Sequence, residues 1–261
     1  MARRIAVANQ KGGVGKTTTS VNLAASLAAD GVRTLLIDLD PQGNATMGSG
    51  VDKNDLQASA YDWLVEDQAF AEIVQRSSGD YALVPANADL TAAEVALLSA
   101  EDRSARLRRR LDSAPTFDFV LIDCPPSLNV LTLNALMASD GVLIPMQCEY
   151  YALEGLTALL LTIRGVRQRG NPGLAIDGIL RTMYDPRNTL SRDVSRQLMA
   201  YFGQDVFRTV VPRNVRLAEA PSHGLPATVY DPRCRGALAY RALAGELRSR
   251  TAARGGRPDS A

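Results

Sequence analysis

The chain has 261 residues, 46% of them hydrophobic and 22% charged, with a formal net charge of +1, enough apolar length for a core of its own and no apolar run that could span a bilayer. Cys124, Cys148 and Cys234 lie far apart without C-x-x-C spacing, which argues against a disulfide framework, a zinc site or an iron–sulfur cluster and fits a reducing cytoplasm. The small total hides an asymmetry: from Arg164 onward 17 Arg face 8 Asp and Glu, a net +9 that leaves −8 for residues 1–163, so the second part is a candidate polyanion-binding face.

Residues 3–9 read as the first strand, built on Ile5-Ala6-Val7-Ala8. No charged leader with an apolar segment precedes it, so an unprocessed chain is expected, and nucleic-acid binding is expected from the core itself. Gln10-Lys11-Gly12-Gly13-Val14-Gly15-Lys16-Thr17-Thr18 follows, and Ser20–Ala28 continues as a helix. A strand, then glycines that let backbone N–H groups close on an anion, then a helix N-terminus with partial positive charge, make a phosphate cradle. The stretch reads as a P-loop, with Lys16 along the β- and γ-phosphates and the Thr17 hydroxyl on Mg²⁺. The strict G-x-x-x-x-G-K-[ST] pattern fails, because Gln10 stands where the first glycine belongs and a second lysine, Lys11, lies inside the loop.

Val32–Asp38 reads as a buried strand that delivers Asp38-Leu39-Asp40-Pro41-Gln42-Gly43-Asn44 to the carboxyl end of the sheet, where open α/β folds bind ligands. Residues 48–60 read as loop, Tyr61–Val65 and Ala69–Gln75 as short helices, with Trp63 as a core anchor. Tyr81–Pro85 is a short strand, Leu90–Ser99 and Ala105–Leu111 are helices, and the Arg106–Arg110 run is a solvated helix face. Phe117–Asp123 is an apolar strand ending in a carboxylate, the form of a Walker B strand, and Cys124-Pro125-Pro126 ends it sharply. Asn129–Ala138 is helical, Gly141–Pro145 a strand, Leu153–Arg169 a long helix and Ile176–Met183 a strand. Tyr184-Asp185-Pro186-Arg187 recurs as Tyr230-Asp231-Pro232-Arg233, two independent Asp-Pro turns rather than a repeat. Leu190–Phe202 is helical, Val206–Val210 a strand, Val215–Ala220 a short helix and Ala237–Arg250 the last helix. Strands alternating with helices predict an α/β fold, a doubly wound, mostly parallel sheet flanked by helices, as one domain over 1–252 with a disordered tail over 253–261.

The Lys-Gly-Gly-x-Gly-Lys-Thr-Thr loop resembles the deviant Walker A motif of the ParA/MinD group of P-loop ATPases. Further blocks extend the resemblance over nearly the whole chain to chromosomal ParA (Soj-type) partition ATPases: residues 38–46, 123–127, 147–155 and 211–224. The resemblance implies that Gly12, Gly13, Val14, Gly15, Lys16, Thr17 and Thr18 bind ATP and that Lys11 reaches across a nucleotide-sandwich homodimer to the partner's phosphates. It assigns Asp40 to the attacking water and the metal region, Asp123 as the Walker B acid holding Mg²⁺ through water, and Pro212 and Asn214 to the adenine. Asp38 reads as a strand-end carboxylate that supports the loop. Lys11, Lys16 and Asp40 form the expected catalytic set.

The resemblance further implies nonspecific double-stranded DNA binding in the ATP state, through Arg187 and Arg216, then Arg213 and Arg192. It implies a ParB-type centromere-binding partner and a cytoplasmic, nucleoid-associated role in chromosome or plasmid segregation, without a membrane. His223, the only histidine, reads as a loop residue. Alternatives are a MinD-like membrane-associated positioning ATPase, a metabolic P-loop enzyme or iron–sulfur reductase, and a DNA-coating protein that binds ATP without turnover.

Overall fold

A computed structural model describes residues 2–100, 102–150 and 152–255 of the chain. β1 (Arg3–Val7), β2 (Thr34–Asp38), β3 (Gln75–Arg76), β4 (Ala82–Val84), β5 (Phe119–Asp123), β6 (Gly141–Gln147), β7 (Ala175–Tyr184) and β8 (Val206–Pro212) form one sheet in the order β3-β4-β2-β5-β1-β6-β7-β8. Every neighbouring pair is parallel except β3 with β4. β2 and β5 are buried at every position, as apolar strands covered by helices on both faces must be.

The side-chain period of two divides each strand between two cores. Ile5, Val7, Leu36 and Leu121 face one, closed by α1 (Lys16–Ala29) and by Tyr240, Leu243 and Leu247 of the last helix. Ala6, Leu35, Ile37, Val120 and Ile122 face the other. That second layer is built from α3 (Ala60–Leu64), α4 (Phe70–Ile73), α5 (Leu90–Leu98), α6 (Arg106–Ser113), α7 (Val130–Ala138), α8 (Ala152–Arg169) and α9 (Thr189–Phe202), whereas α2 (Asn44–Gly48) joins the first core through Ala45. α10 (Val215–Glu219), α11 (Ala227–Tyr230) and α12 (Arg235–Gly255) complete the chain.

Trp63 is 2% exposed and meets Phe70 edge to face at 5.5 Å between ring centroids. Arg106 and Arg110 of α6 pair with Asp67, and Arg106 and Arg109 with Asp102, so two carboxylates partly offset the four arginines of that run. Both Asp-Pro turns close in the same way: the Arg187 N–H donates to Asp185 Oδ1 at 3.0 Å and the Arg233 N–H to Asp231 Oδ1 at 3.2 Å. The recurring tetrapeptide is a shared local turn chemistry.

Three local readings differ. Asn44–Gly48 is helical, so Gly48 leaves the loop reading of 48–60, while residues 45–47 carry no reading because a single turn is too short to show periodicity. Gln75, the last residue of the helix reading, instead joins Arg76 in an antiparallel edge strand. The last helix runs to Gly255, so 253–255 of the expected tail are helical, and the remainder of that tail lies outside the described residues. Among the described residues no helix is long and apolar enough to cross a membrane.

Strand order places the site. β1 stands between β5 and β6, so connections leave its carboxyl end toward opposite sides and open a crevice there. The loop after β1 is tied down on both flanks: Asn9 Nδ2 donates to the Pro145 carbonyl at 2.8 Å, and the Thr182 hydroxyl to the Val14 carbonyl at 2.7 Å.

Candidate functional site

The phosphate loop owes its course to Gly13 and Gly15, at φ of +72° and +89°, values that glycine adopts without the Cβ penalty. Gly15 caps α1 with no side chain engaged, so the N–H groups of the first turn are not taken by a capping side chain and can serve an anion. Lys16 is the first residue of the helix and 7% exposed; its Nζ donates to the Lys11 carbonyl at 3.1 Å. Burial lowers its pKa, while Asp123 and Asp40 work in the opposite direction. A buried cation beside a ring of N–H groups is a strong anion site.

Two hydroxyls on one face of α1 hold Asp123. Thr17 Oγ1 donates to Asp123 Oδ2 and Ser20 Oγ to Asp123 Oδ1, each at 2.8 Å. Spacing of three residues on a helix brings both hydroxyls to the same carboxylate. Asp38 is the register partner of Asp123 on the next strand. Its Oδ2 accepts the Thr46 N–H and hydroxyl at 2.8 Å, and its Oδ1 accepts the Asp40 N–H at 3.1 Å. Asp38 thereby shapes the segment that carries Asp40, whose own Oδ1 accepts the Gln42 N–H at 3.0 Å. Burial pushes Asp38 up to about 6 and Asp123 up to about 7, with the neighbouring carboxylates adding to both shifts.

A cavity of about 820 Å³ runs from Gly12, Lys16 and Thr17 past Asp40 to Pro212 and Asn214. The loop glycines, Thr18, the acid at position 40 and the expected base-binding pair therefore share one space. Asn214 caps α10, its Oδ1 accepting the Arg216 N–H at 3.0 Å, which leaves its amide NH₂ as the group available to a ligand. Asp123 stands behind Thr17 rather than on the cavity wall, and the Val14 side chain is buried, 1% exposed. Lys11 also stands off the cavity: its side chain is 42% exposed and its ammonium pairs with Glu149.

The four arginines singled out from sequence are exposed but differently engaged. Arg187 pairs with Asp185 at 2.9 Å, Arg216 with Glu219 at 2.8 Å and Asp231 at 3.4 Å, and Arg192 donates to the Thr189 hydroxyl at 3.3 Å. Arg187 and Arg213 line one hollow of about 430 Å³, which neither Arg192 nor Arg216 borders. His223 ends a short 3-10 turn and stacks on Tyr230 at 4.8 Å.

Sequence reasoning missed Ser20, Thr182 and Glu149. Ser20 was within reach, since it lies on the helical face of Thr17; Thr182 and Glu149 carry no local signal, because only the β6–β7 pairing and the β6 exit bring them to the loop.

Magnesium suits this donor set. Among the described residues no group of three or more His, Cys, Asp or Glu side chains is arranged to hold a metal, and Mg²⁺ characteristically takes one or two protein oxygens with phosphates and waters. All three cysteines are free, two of them buried.

A family model described as an AAA domain matches residues 2–176. The chain is 51% identical to the sporulation initiation inhibitor protein Soj of Bacillus subtilis (strain 168), over 95% of this chain and 98% of that protein. It is 50% identical to the chromosome partitioning protein ParA of Myxococcus xanthus (strain DK1622), over 96% of this chain and 89% of that protein. Among solved structures, a cobyrinic acid a,c-diamide synthase from Mycobacterium smegmatis with bound ADP and magnesium superposes with a TM-score of 0.86 at 40% identity, over 98% of this chain and 97% of that one. This chain belongs to the ParA/Soj family of chromosome-partitioning P-loop ATPases.

Proposed function

We propose that this protein is a Mg²⁺-dependent ATPase that dimerises on ATP, binds duplex DNA without sequence preference in that state, and segregates chromosome or plasmid DNA with a ParB-type partner. The observation that carries the reading is the contrast between the two loop lysines. Lys16 is buried at 7% exposure, where it can serve only its own phosphates, whereas the Lys11 side chain is 42% exposed, pairs with Glu149 and does not line the cavity. Two facing triphosphates concentrate negative charge, and a lysine donated from each side offsets it only while ATP is bound.

Within the site, Gly12, Gly13, Val14, Gly15 and Thr18 present backbone N–H groups to the phosphates, and Lys16 neutralises the β- and γ-oxygens. Thr17 and Asp123 would hold Mg²⁺, directly and through water. When bound, the metal neutralises charge that develops on the transferring phosphoryl group. Asp40 orients the attacking water and Pro212 and Asn214 hold the base.

A membrane-positioning role is less well supported, because Tyr240, Leu243, Ala244 and Leu247 of α12 are buried in the core at 1% exposure or less and Leu238, 51% exposed, is the one large apolar side chain that this helix leaves open among the described residues, too little for an amphipathic lipid-binding face. A cytoplasmic, nucleoid-associated protein is the matching picture.

The test is binding to random-sequence duplex DNA without nucleotide, with ADP and with ATP, using Asp40→Ala to hold the ATP state and Lys16→Ala as a control. Salt-sensitive binding confined to ATP, kept by Asp40→Ala and lost in Lys16→Ala, is expected. Binding indifferent to nucleotide, or none beside normal turnover, would sink the reading.

A further inference from the structure

Of the 29 Lys and Arg residues only Lys11, Lys16 and Lys53 are lysines. Two belong to the phosphate loop. The third stands just beyond α2, half-buried, and lies across the segment that carries Asp40. Its Nζ donates to the Gln42 carbonyl at 2.6 Å, and its own N–H donates to Met47 Sδ of α2 at 3.5 Å. Among the described residues its ammonium has no carboxylate at ion-pair distance. A cation that forgoes a counter-charge for one backbone carbonyl makes a charge-assisted hydrogen bond there, stronger than a neutral one.

The carbonyl matters because of what shares its residue. Leu39–Gly43 belongs to no helix or strand, so its course rests on individual contacts. Gln42 is held through both of its backbone groups: the N–H goes inward to Asp40 Oδ1 at 3.0 Å and the carbonyl goes outward to Lys53. The Lys53 stem adds a steric wall, for a Cβ on Gly43 would meet Lys53 Cδ at 2.9 Å. Asp40 and Gln42 line the nucleotide cavity, whereas Lys53 does not. Lys53 therefore braces the turn from behind.

We propose that Lys53 is a positioning residue for ATP hydrolysis, fixing the Gln42 carbonyl so that the Asp40 carboxylate is held where the attacking water is to be oriented. This rests on the role given to Asp40 above and adds to it a residue outside the cavity. A compact ammonium with rotatable donors suits a single carbonyl beside a glycine.

The experiment is steady-state ATP turnover of the full chain with Mg²⁺ for wild type, Lys53→Met, Lys53→Arg and Asp40→Ala, with Tm and amide hydrogen exchange measured on the same samples. Lys53→Met keeps an unbranched apolar stem and loses the ammonium. Its kcat should fall about tenfold, the scale of one charge-assisted hydrogen bond, with KM for ATP unchanged, as for an interaction that acts in the transition state alone. Exchange at the Gln42 and Gly43 amides should quicken, because the turn opens more often. Lys53→Arg, which keeps a charged donor, should recover most of the turnover. A lower Tm with wild-type kcat, a raised KM with unchanged kcat, or unaltered exchange at residues 42 and 43 overturns the positioning role. Wild-type turnover in Asp40→Ala overturns the underlying reading as well. An inactive Asp40→Ala beside a fully active Lys53→Met overturns the part given to Lys53 alone.

Discussion

Asp38 and Asp123 are register partners on the adjacent parallel strands β2 and β5, and both are wholly buried. Neighbouring strands lie about 4.8 Å apart, so two carboxylates share a small, dry volume. Each takes two or more hydrogen bonds, yet burial still raises both pKa values, to about 6 and about 7. The arrangement favours the protonated, neutral form of both carboxyls.

The sign of the pH effect follows. An unfolded aspartate titrates near 3.9, so between that pH and about 7 the folded protein binds more protons than the unfolded chain at these positions. Their contribution to stability is then lost as pH rises through the window. In EDTA and without nucleotide, Asp38→Asn should flatten the fall in Tm between pH 5 and pH 7.5. A thermal-melt series shows this directly; an equal slope in both proteins refutes the coupling.

Gly43 sits at φ +59°, and a Cβ there would stand 2.6 Å from the Ala86 carbonyl oxygen. Its N–H closes the turn onto the Asp40 carbonyl at 2.9 Å. Gly43→Ala should therefore displace the Asp40 segment and abolish most ATP turnover while nucleotide still binds at the separate glycine loop. Gly31→Ala is the control: it has φ +75° but no atom within 4 Å of the added carbon, so it should cost about 1 kcal/mol of backbone strain and leave turnover intact. Turnover and nucleotide binding measured side by side distinguish the two.

Much of this fold was legible because the strands announce themselves. Phe119–Asp123 and Thr34–Asp38 are apolar runs ending in acids, and both acids fall at the carboxyl edge where the loop sits. Legibility ended where information is not local. The turn at Asn44–Gly48 is too short for a period, and the clamp from Thr182 exists only because β7 stands two strands from β1. Arg187, Arg213 and Arg235 are separated by 20 residues or more in an arginine-rich segment, so no spacing groups them; the β7 and β8 ends and the start of α12 do.

Thr182 tests that nonlocal clamp. Its hydroxyl is buried and donates to the Val14 carbonyl at 2.7 Å. Thr182→Val keeps the shape and leaves a buried carbonyl short of a partner, a loss of about 1–3 kcal/mol. Because the orphaned carbonyl belongs to the phosphate loop, ATP affinity should fall severalfold along with Tm. A drop in Tm without any change in ATP affinity would place the clamp outside the binding function.

Lys11 and Glu149 give the last prediction, which depends on the proposed dimer. The ammonium that would cross to a partner's phosphates is held in its own subunit by Glu149, at the exit of β6. Both side chains are 42% exposed, so the pair is screened and weak, worth no more than about fivefold in an equilibrium constant. Glu149→Gln should lower the ATP concentration needed for half-maximal dimerisation by up to that factor. Added salt should narrow the difference between the two proteins, and Lys11→Ala/Glu149→Gln should not dimerise at all. Light scattering across an ATP titration gives the answer: weaker dimerisation in Glu149→Gln would mean that Glu149 acts across the interface, and the restraint in the free subunit would be wrong.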